Sequence, residues 1–359
     1  VATPTIEEAV RAYIRSRTSE KKSPATIQND DIQLSRFARE MAKQRVQKIN
    51  SLTPVHVYNY FYGPGGVMSE HSDDYGRTYP PLSESSHNLL RRRLVGFFRY
   101  CEMFGWVRNP TLLMANVLPM KLPRRERMRP APRVLLSLLE AAENPLDRVW
   151  LAACMNTALR QSELRTLTIG DVDLDGGWLK VRVYKTKQED RLPITAEFDK
   201  ELRAWFEEYA DLIGRPLTEE DFLFPHRVAH LFGSYQPVKG VKRPPATFTY
   251  HPDKPIKNTE FVVQRALKRI GMDTRYEGTH TIRRGVARAL FDELSKEAGY
   301  ESAIGTVSAL LHHSLRSTTE IYLGLSTEKE RRDKMMRGRP FLSAMVEPET
   351  NVVPLRRVK

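Results

Sequence analysis

Leu311-His312-His313-Ser314-Leu315-Arg316-Ser317-Thr318-Thr319-Glu320-Ile321-Tyr322 is the stretch from which the fold of this chain is read. Ser317 and Glu320 have the spacing of a capping box, in which a hydroxyl and a carboxylate satisfy each other's backbone amides at a helix start. Tyr322 then lies one turn into a short helix that Gly324 ends. Upstream, Thr279-His280-Thr281-Ile282-Arg283-Arg284 opens a longer helix that continues through Val286, Leu290 and Phe291, with Thr279 as its cap. His280 and Arg283 are three apart and share one face. A helix N-terminus carrying both is a good anion site, because free amides and positive side chains point the same way.

Further back, Thr157-Ala-Leu-Arg-Gln-Ser-Glu-Leu164 ends one apolar helix and starts another, with Ser162 as cap and Arg160 in the turn. Between these segments, Trp178, Leu179, Val181 and Val183 and then Arg191-Leu192-Pro193-Ile194 read as two strands. Their polar turn, residues 185–190, holds Lys185 and Lys187. Residues 226–257 read as loop. Each segment has an ordinary reading by itself: a surface arginine, a solubilising lysine, a capped helix start, a packing tyrosine with a wet hydroxyl.

The N-terminal part is helical. A capping box at Thr5 and Glu8 precedes Ala9, Val10, Tyr13 and Ile14 at helical spacing. Pro24 behind Ser23 and Pro54 behind Thr53 start two more helices. Residues 63–81 are a Gly-, Ser-, Asp- and Pro-rich loop, and a fourth helix runs from about Ser83 to Gly105. The expected organisation is a helical first domain (1–118), a basic linker (119–132), a second domain (133–345) and a tail (346–359). The second domain is mainly α with a small antiparallel β-sheet, an α+β fold. The linker carries Lys121, Arg124, Arg125, Arg127 and Arg129. Its 14 residues span roughly 50 Å when extended, enough to reach around a DNA duplex.

The chain has 359 residues and a formal net charge of +13, with 21 basic and 12 acidic residues in positions 1–130. A lopsided basic charge points to a polyanion partner, most simply nucleic acid. No apolar run is long enough for a membrane span, and a signal peptide is not expected. The two cysteines, Cys101 and Cys154, exclude a disulfide scaffold and suit a reducing compartment. His226 and His230 have the spacing of helical metal ligands, but Pro225 and the lack of a following Glu argue against a metal site. No glycine-rich phosphate loop is present, so neither metal nor ATP is expected as a cofactor.

Taken together and in this order, the Arg160 turn, the hairpin lysine, His280-x-x-Arg283, and His313 followed nine residues later by Tyr322 resemble the tyrosine recombinases of the phage-integrase type. The resemblance covers the whole second domain, and the first resembles the family's core-binding domain. It implies that Arg160, Lys185, His280, Arg283, His313 and Tyr322 are catalytic, with Tyr322 the nucleophile and Lys187 a rival to Lys185. Such an enzyme breaks and rejoins DNA through a 3′-phosphotyrosyl intermediate without metal or ATP. The partners it implies are double-stranded DNA with paired inverted-repeat sites, three further copies of the chain in a tetramer, and accessory DNA-bending or directionality factors. A mobile-element role in a bacterial cytoplasm or nucleoid is the expectation. Residues 326–350, whose first part reads as a charged helix, are expected to dock on a neighbouring protomer. A type IB topoisomerase, a telomere resolvase and a non-catalytic DNA-binding protein of the same fold are the alternatives. Two departures stand out. The family's usual glycine before the second histidine is His312 here, and the stretch from Arg283 to His313 is long. The sequence opens at the first core-binding helix, so a preceding arm-site domain is not expected.

Overall fold

Each amphipathic helix has to bury its apolar stripe, and among the described residues the helices of the two units do so in separate clusters, one in the first unit and two in the second. The computed structural model describes residues 3–72, 76–122, 127–183, 188–230 and 247–325. The chain divides into two units, Val1–Arg125 and Glu126–Lys359. The linker residues Arg124 and Arg125, the hairpin residues Lys185 and Lys187, and the proposed docking segment 326–350 lie outside the described residues.

In the first unit, α1 (Ile6–Ser19) begins with the capping box read from the sequence. The Thr5 hydroxyl accepts from the Glu8 amide, and the Glu8 carboxylate accepts from the Thr5 amide. Helices α2 (Pro24–Lys43) and α3 (Pro54–Tyr62) each place a proline at their first residue behind a Ser23 or Thr53 cap. Proline has no amide to leave unpaired there, and its fixed φ is already helical. The loop that follows holds a minimal ribbon, β1 (His71–Ser72) and β2 (Thr78–Tyr79). Helices α4 (Glu84–Met103) and α5 (Pro110–Leu113) complete the unit. Val10, Leu34, Phe37, Phe61, Leu94, Phe97 and Phe98 are among the side chains of its core. The Asn88 side chain accepts from the Met120 amide at 2.7 Å and donates to the Met120 carbonyl at 2.8 Å. The start of the expected linker is thereby fastened to α4.

In the second unit, α6 (Pro132–Glu140), α7 (Pro145–Thr157) and α8 (Gln161–Leu164) lead into a sheet. Its antiparallel order is β3 (Val172–Asp173), β4 (Trp178–Val183), β5 (Gln188–Pro193). Leu179, Val181 and Val183 alternate inward from β4, as period-two spacing requires. β5 begins at Gln188, so residues 188–190 pair in the ladder, and the connecting turn is shorter than the sequence suggested. Helix α9 (Ala196–Ile213) packs on the same core through Phe198, Leu202 and Trp205. Residues 226–257 are not a plain loop. β6 (Pro225–His230) and β7 (Thr247–Pro255) form an antiparallel ribbon. Its side chains are mostly half-buried or exposed with no alternating apolar pattern to read, so backbone pairing, not a hydrophobic period, defines it as a ribbon. His226 stacks on His251 across this ribbon, and His230 bonds Thr249.

Helix α10 (Glu260–Arg269) precedes the carboxy-terminal group of α11 (Thr279–Glu297), α12 (Gly299–Leu310) and α13 (Arg316–Leu323). Ala298 separates α11 from α12, which opens on Gly299 at φ +78°, so the stretch between Arg283 and His313 holds the rest of α11 and all of α12. Ala287, Phe291, Ile304, Val307, Leu311 and Leu323 join the three helices in a second core cluster. Three expected caps move. Gly278 caps α11, so Thr279 is its first helical residue and is buried. Leu315 stands at the cap of α13 with no side-chain bond, and Glu320 instead accepts from the Tyr300 hydroxyl at 3.0 Å. Arg160, not Ser162, occupies the cap of α8. At α8 and α11 the cap bonds are local ones to other residues: the Arg160 amide donates to Glu163 at 2.8 Å and the Gly278 amide to the Thr281 hydroxyl at 3.0 Å.

The end of the linker lies in this unit against α11. A Cβ added to Gly285 would sit 2.6 Å from the Pro130 carbonyl oxygen, and Arg284 Nε donates to the Met128 carbonyl at 2.9 Å. Gly285→Ala should therefore lower the melting temperature, even though alanine stabilises an ordinary helix interior by about 1 kcal/mol over glycine. Thermal unfolding followed by circular dichroism checks this; a raised melting temperature would refute the close approach.

Candidate active site

Two turns converge at the N-terminus of α11. The first follows α7, where Ala158 adopts the left-handed conformation at φ +47°. Arg160 comes two residues later at the start of α8. Its amide and its guanidinium each donate to the Glu163 carboxylate at 2.8 Å, and Glu163 is only 2% exposed. The second turn follows α12, where the Leu311 carbonyl faces inward. Arg283 reaches both turns. Its guanidinium bonds the Ala158 carbonyl, and Nη2 donates to the Leu311 carbonyl at 2.7 Å. Arg160 Nη2 meets the same Leu311 carbonyl at 3.3 Å. Two guanidiniums thus share one backbone oxygen, an arrangement that holds like charges close together and pre-shapes a double-armed anion site.

Burial makes that arrangement expensive. It lowers the Arg283 pKa from its ordinary value to about 10, assisted by the Arg160 charge and opposed by Tyr322. An anion between the arginines would relieve the same penalty.

Tyr322 on α13 comes to this place. Its hydroxyl donates to the His280 carbonyl at 3.4 Å. Desolvation raises its pKa, while the charges of Arg283, Arg284 and Arg160 pull the other way, so the phenol keeps its proton at neutral pH. His280 is shifted down, first by desolvation and then by Arg283, Arg284 and Arg160, and its imidazole is neutral at pH 7. His313 stands edge-on to the Tyr322 ring at 5.5 Å between centroids. Its Nδ1 bonds the Thr319 hydroxyl at 2.9 Å, and Thr319 accepts from Ser308 at 2.8 Å.

Arg160, His280, Arg283, His313 and Tyr322, chosen from sequence, are therefore brought together. The linker residues are spread differently. Lys121 and Arg127 are exposed. Arg129 turns inward, with Nε donating to the Tyr322 carbonyl at 3.4 Å and its guanidinium lying against Gly324. Sequence reading missed Glu163, the Ala158 and Leu311 carbonyls, and Arg284. Arg284 is buried and paired with Glu277 at 2.8 Å. Glu163 stands three residues after an arginine at a helix start, the spacing that a capping box uses; that signal was present. The carbonyls carry no sequence signal.

Glu163→Gln should destabilise the chain by about 2 kcal/mol, because the Arg160 guanidinium loses a charged acceptor in a partly buried position; denaturant unfolding measures it. His280 contributes a pH dependence of known sign. Its folded pKa is below the unfolded one, so the unfolded chain binds the proton first and stability falls as pH drops through about 6.5. The stability difference between pH 7.5 and 5.5 should be smaller in His280→Asn than in wild type, and an equal difference would refute the shift.

Residues 131–329 match the family model described as the phage integrase family. The tyrosine recombinase XerA of Thermococcus kodakarensis is 28% identical over 251 residues, covering 70% of this chain and 74% of that protein. The putative integrase/recombinase y4rA of Sinorhizobium fredii is 26% identical over 249 residues, covering 66% of this chain and 52% of that protein. Among solved structures, a lambda integrase tetramer bound to a Holliday junction is similar with a TM-score of 0.58 at 16% identity, over 89% of this chain and 77% of that one. The Tn1549 transposon integrase in complex with transposon right end DNA gives a TM-score of 0.56 at 14% identity, over 93% and 99%. At these identities the structural likeness is one of fold. The family match spans more than half of the sequence and contains the two converging turns and Tyr322: the chain belongs to the phage integrase family of tyrosine recombinases.

Proposed function

We propose that the chain is a site-specific DNA recombinase that breaks and rejoins DNA through Tyr322. The observation that carries the reading is the gathering at the N-terminus of α11 of the Tyr322 hydroxyl, on the His280 carbonyl, and the guanidiniums of Arg160 and Arg283, on the Leu311 carbonyl. That is the chemistry a phosphodiester needs: a nucleophile, and positive charge for the non-bridging oxygens.

In the proposed reaction the Tyr322 oxygen attacks the scissile phosphorus. The bond from phosphorus to the 5′-oxygen breaks, leaving a 3′-phosphotyrosyl link and a free 5′-hydroxyl. The phenol proton has to leave as attack proceeds. His280, neutral at pH 7, is suited to take it. His313, whose Nδ1 is engaged by Thr319, has its other ring nitrogen to offer to a phosphate oxygen. The departing 5′-oxygen gains a proton from the hairpin lysine, Lys185 or its rival Lys187. A 5′-hydroxyl of a second strand then attacks the link and restores the phosphodiester. Since two strands must be exchanged at each of two sites, four copies of the chain on paired inverted repeats are part of the proposal. The structural likeness to an integrase tetramer on a Holliday junction supports it. The two arginines supply the charge compensation, so the proposal includes no metal ion, and cleavage should proceed in EDTA.

The test is covalent capture. Wild type and Tyr322→Phe are incubated with fragmented genomic DNA of the source, denatured, and the protein-bound DNA ends are sequenced. Wild-type ends should cluster at an inverted-repeat core, and Tyr322→Phe should yield none. Attachment by Tyr322→Phe would refute the nucleophile, and scattered Tyr322-dependent ends would indicate a topoisomerase instead. Arg283→Ala should bind DNA within a few-fold of wild type while cleavage falls by a factor on the order of 100 to 1,000, the usual cost of removing one transition-state charge donor. Equal losses of binding and cleavage would count against the clamp.

A further inference from the structure

His312 occupies the position of its turn that an L-residue resists. Helix α12 ends with the His313 amide donating to the Ser308 carbonyl at 3.0 Å and the His312 amide to the Ala309 carbonyl at 2.9 Å. These two bonds define a Schellman motif, with His312 at the left-handed position, φ +47°. Glycine is favoured there because a Cβ crowds the backbone. A histidine that persists in that conformation is held by something else.

The side chain shows what. His312 Nε2 lies 2.8 Å from Asp190 Oδ2, across 122 residues of sequence. Asp190 is in the middle of β5, paired with Val181, and its other oxygen accepts from the Arg191 amide. The imidazole is largely buried, and its Nδ1 has no partner among the described residues. The residue before His312 is Leu311, whose carbonyl receives both Arg160 and Arg283. One left-handed turn therefore aims a carbonyl at the two arginines and an imidazole at the sheet.

We propose that His312 is a positioning residue: its contact with Asp190 docks the β4–β5 hairpin onto the turn that holds the arginine pair. This deepens the function proposed above and rests on it. Residues 184–187, with Lys185 and Lys187, connect β4 to β5. Freeing the hairpin from the turn slows delivery of the leaving-group proton and leaves the arginine clamp in place.

The experiment compares wild type, His312→Gly, Asp190→Ala, Asp190→Asn and the double variant His312→Gly/Asp190→Ala. Covalent attachment is followed in single turnover at saturating DNA. Two substrates are used: an ordinary phosphodiester, and one with a 5′-bridging sulfur, which departs without needing a proton. His312→Gly suits the turn's backbone and should melt no lower than wild type. Its attachment to the ordinary substrate should slow about 100-fold, the scale of a displaced general acid. With the sulfur substrate its rate should approach that of wild type, and DNA affinity should not change. Asp190→Asn, which keeps an acceptor oxygen, should retain most of the rate, and the double variant should be no slower than either single one. An unimpaired His312→Gly, or equal slowing on both substrates, overturns the proposal. Amide hydrogen exchange in β5 reads the docking without any cleavage: it should quicken in His312→Gly, and unchanged exchange overturns the docking. If wild type itself forms no adduct, the function proposed above fails, while the exchange measurement still decides the His312 contact.

Discussion

The carboxy-terminal half of the molecule depends on a buried guanidinium. Arg283 is 2% exposed, and burial of an unpaired charge costs several kcal/mol unless hydrogen bonds replace its water. No carboxylate pairs with it among the described residues; backbone carbonyls of two distant turns serve instead. Those carbonyls are available because Ala158 and His312, both at φ +47°, bend the chain ends of α7 and α12 back toward α11. Each left-handed L-residue costs about 1 kcal/mol or more. The arginine bonds offset that cost and make the two turns interdependent.

From this constraint the rest of the site follows. Arg160 is fixed by the buried Glu163 and shares the Leu311 oxygen, so two positive charges are held close together before any anion arrives. Such preorganisation is most valuable where negative charge grows during a reaction. The same field reaches the two titratable groups alongside it. It lowers His280 and moderates the rise of Tyr322, but desolvation is the larger effect on both. Both shifts reinforce the states these groups already favour at neutral pH, a neutral imidazole and a protonated phenol.

Support for the nucleophile helix comes from outside the site. Helix α13 has eight residues, too short to persist alone. Thr319 and Leu323 anchor it in the α11–α12 cluster, and Arg129 bonds the Tyr322 carbonyl from the end of the linker. An arginine of the basic linker expected to reach around a DNA duplex thus bonds the backbone of Tyr322. The linker's neighbours Met128 and Pro130 lie against Arg284 and Gly285 in the same way.

The sequence by itself determined the elements with local causes and the site's side chains. The Thr5–Glu8 box, the prolines at the starts of α2 and α3, and the alternation of β4 are written in adjacent residues, because capping and period-two burial act over a few positions. Arg160, His280, Arg283, His313 and Tyr322 were legible because their residue types and order match a family pattern. Tertiary structure alone decided what joins them. The β6–β7 ribbon is defined by backbone pairing with little side-chain burial, which leaves no pattern in composition. At α13 the Glu320 carboxylate, expected in a local capping box worth about 1 kcal/mol, is engaged instead by Tyr300, twenty residues away. The Ala158 and Leu311 carbonyls, the inward turn of Arg129 and the reach of His312 to Asp190 involve backbone atoms or partners far apart in sequence. A backbone oxygen has the same chemistry at every residue, so only the folded path of the chain can select which one holds an arginine.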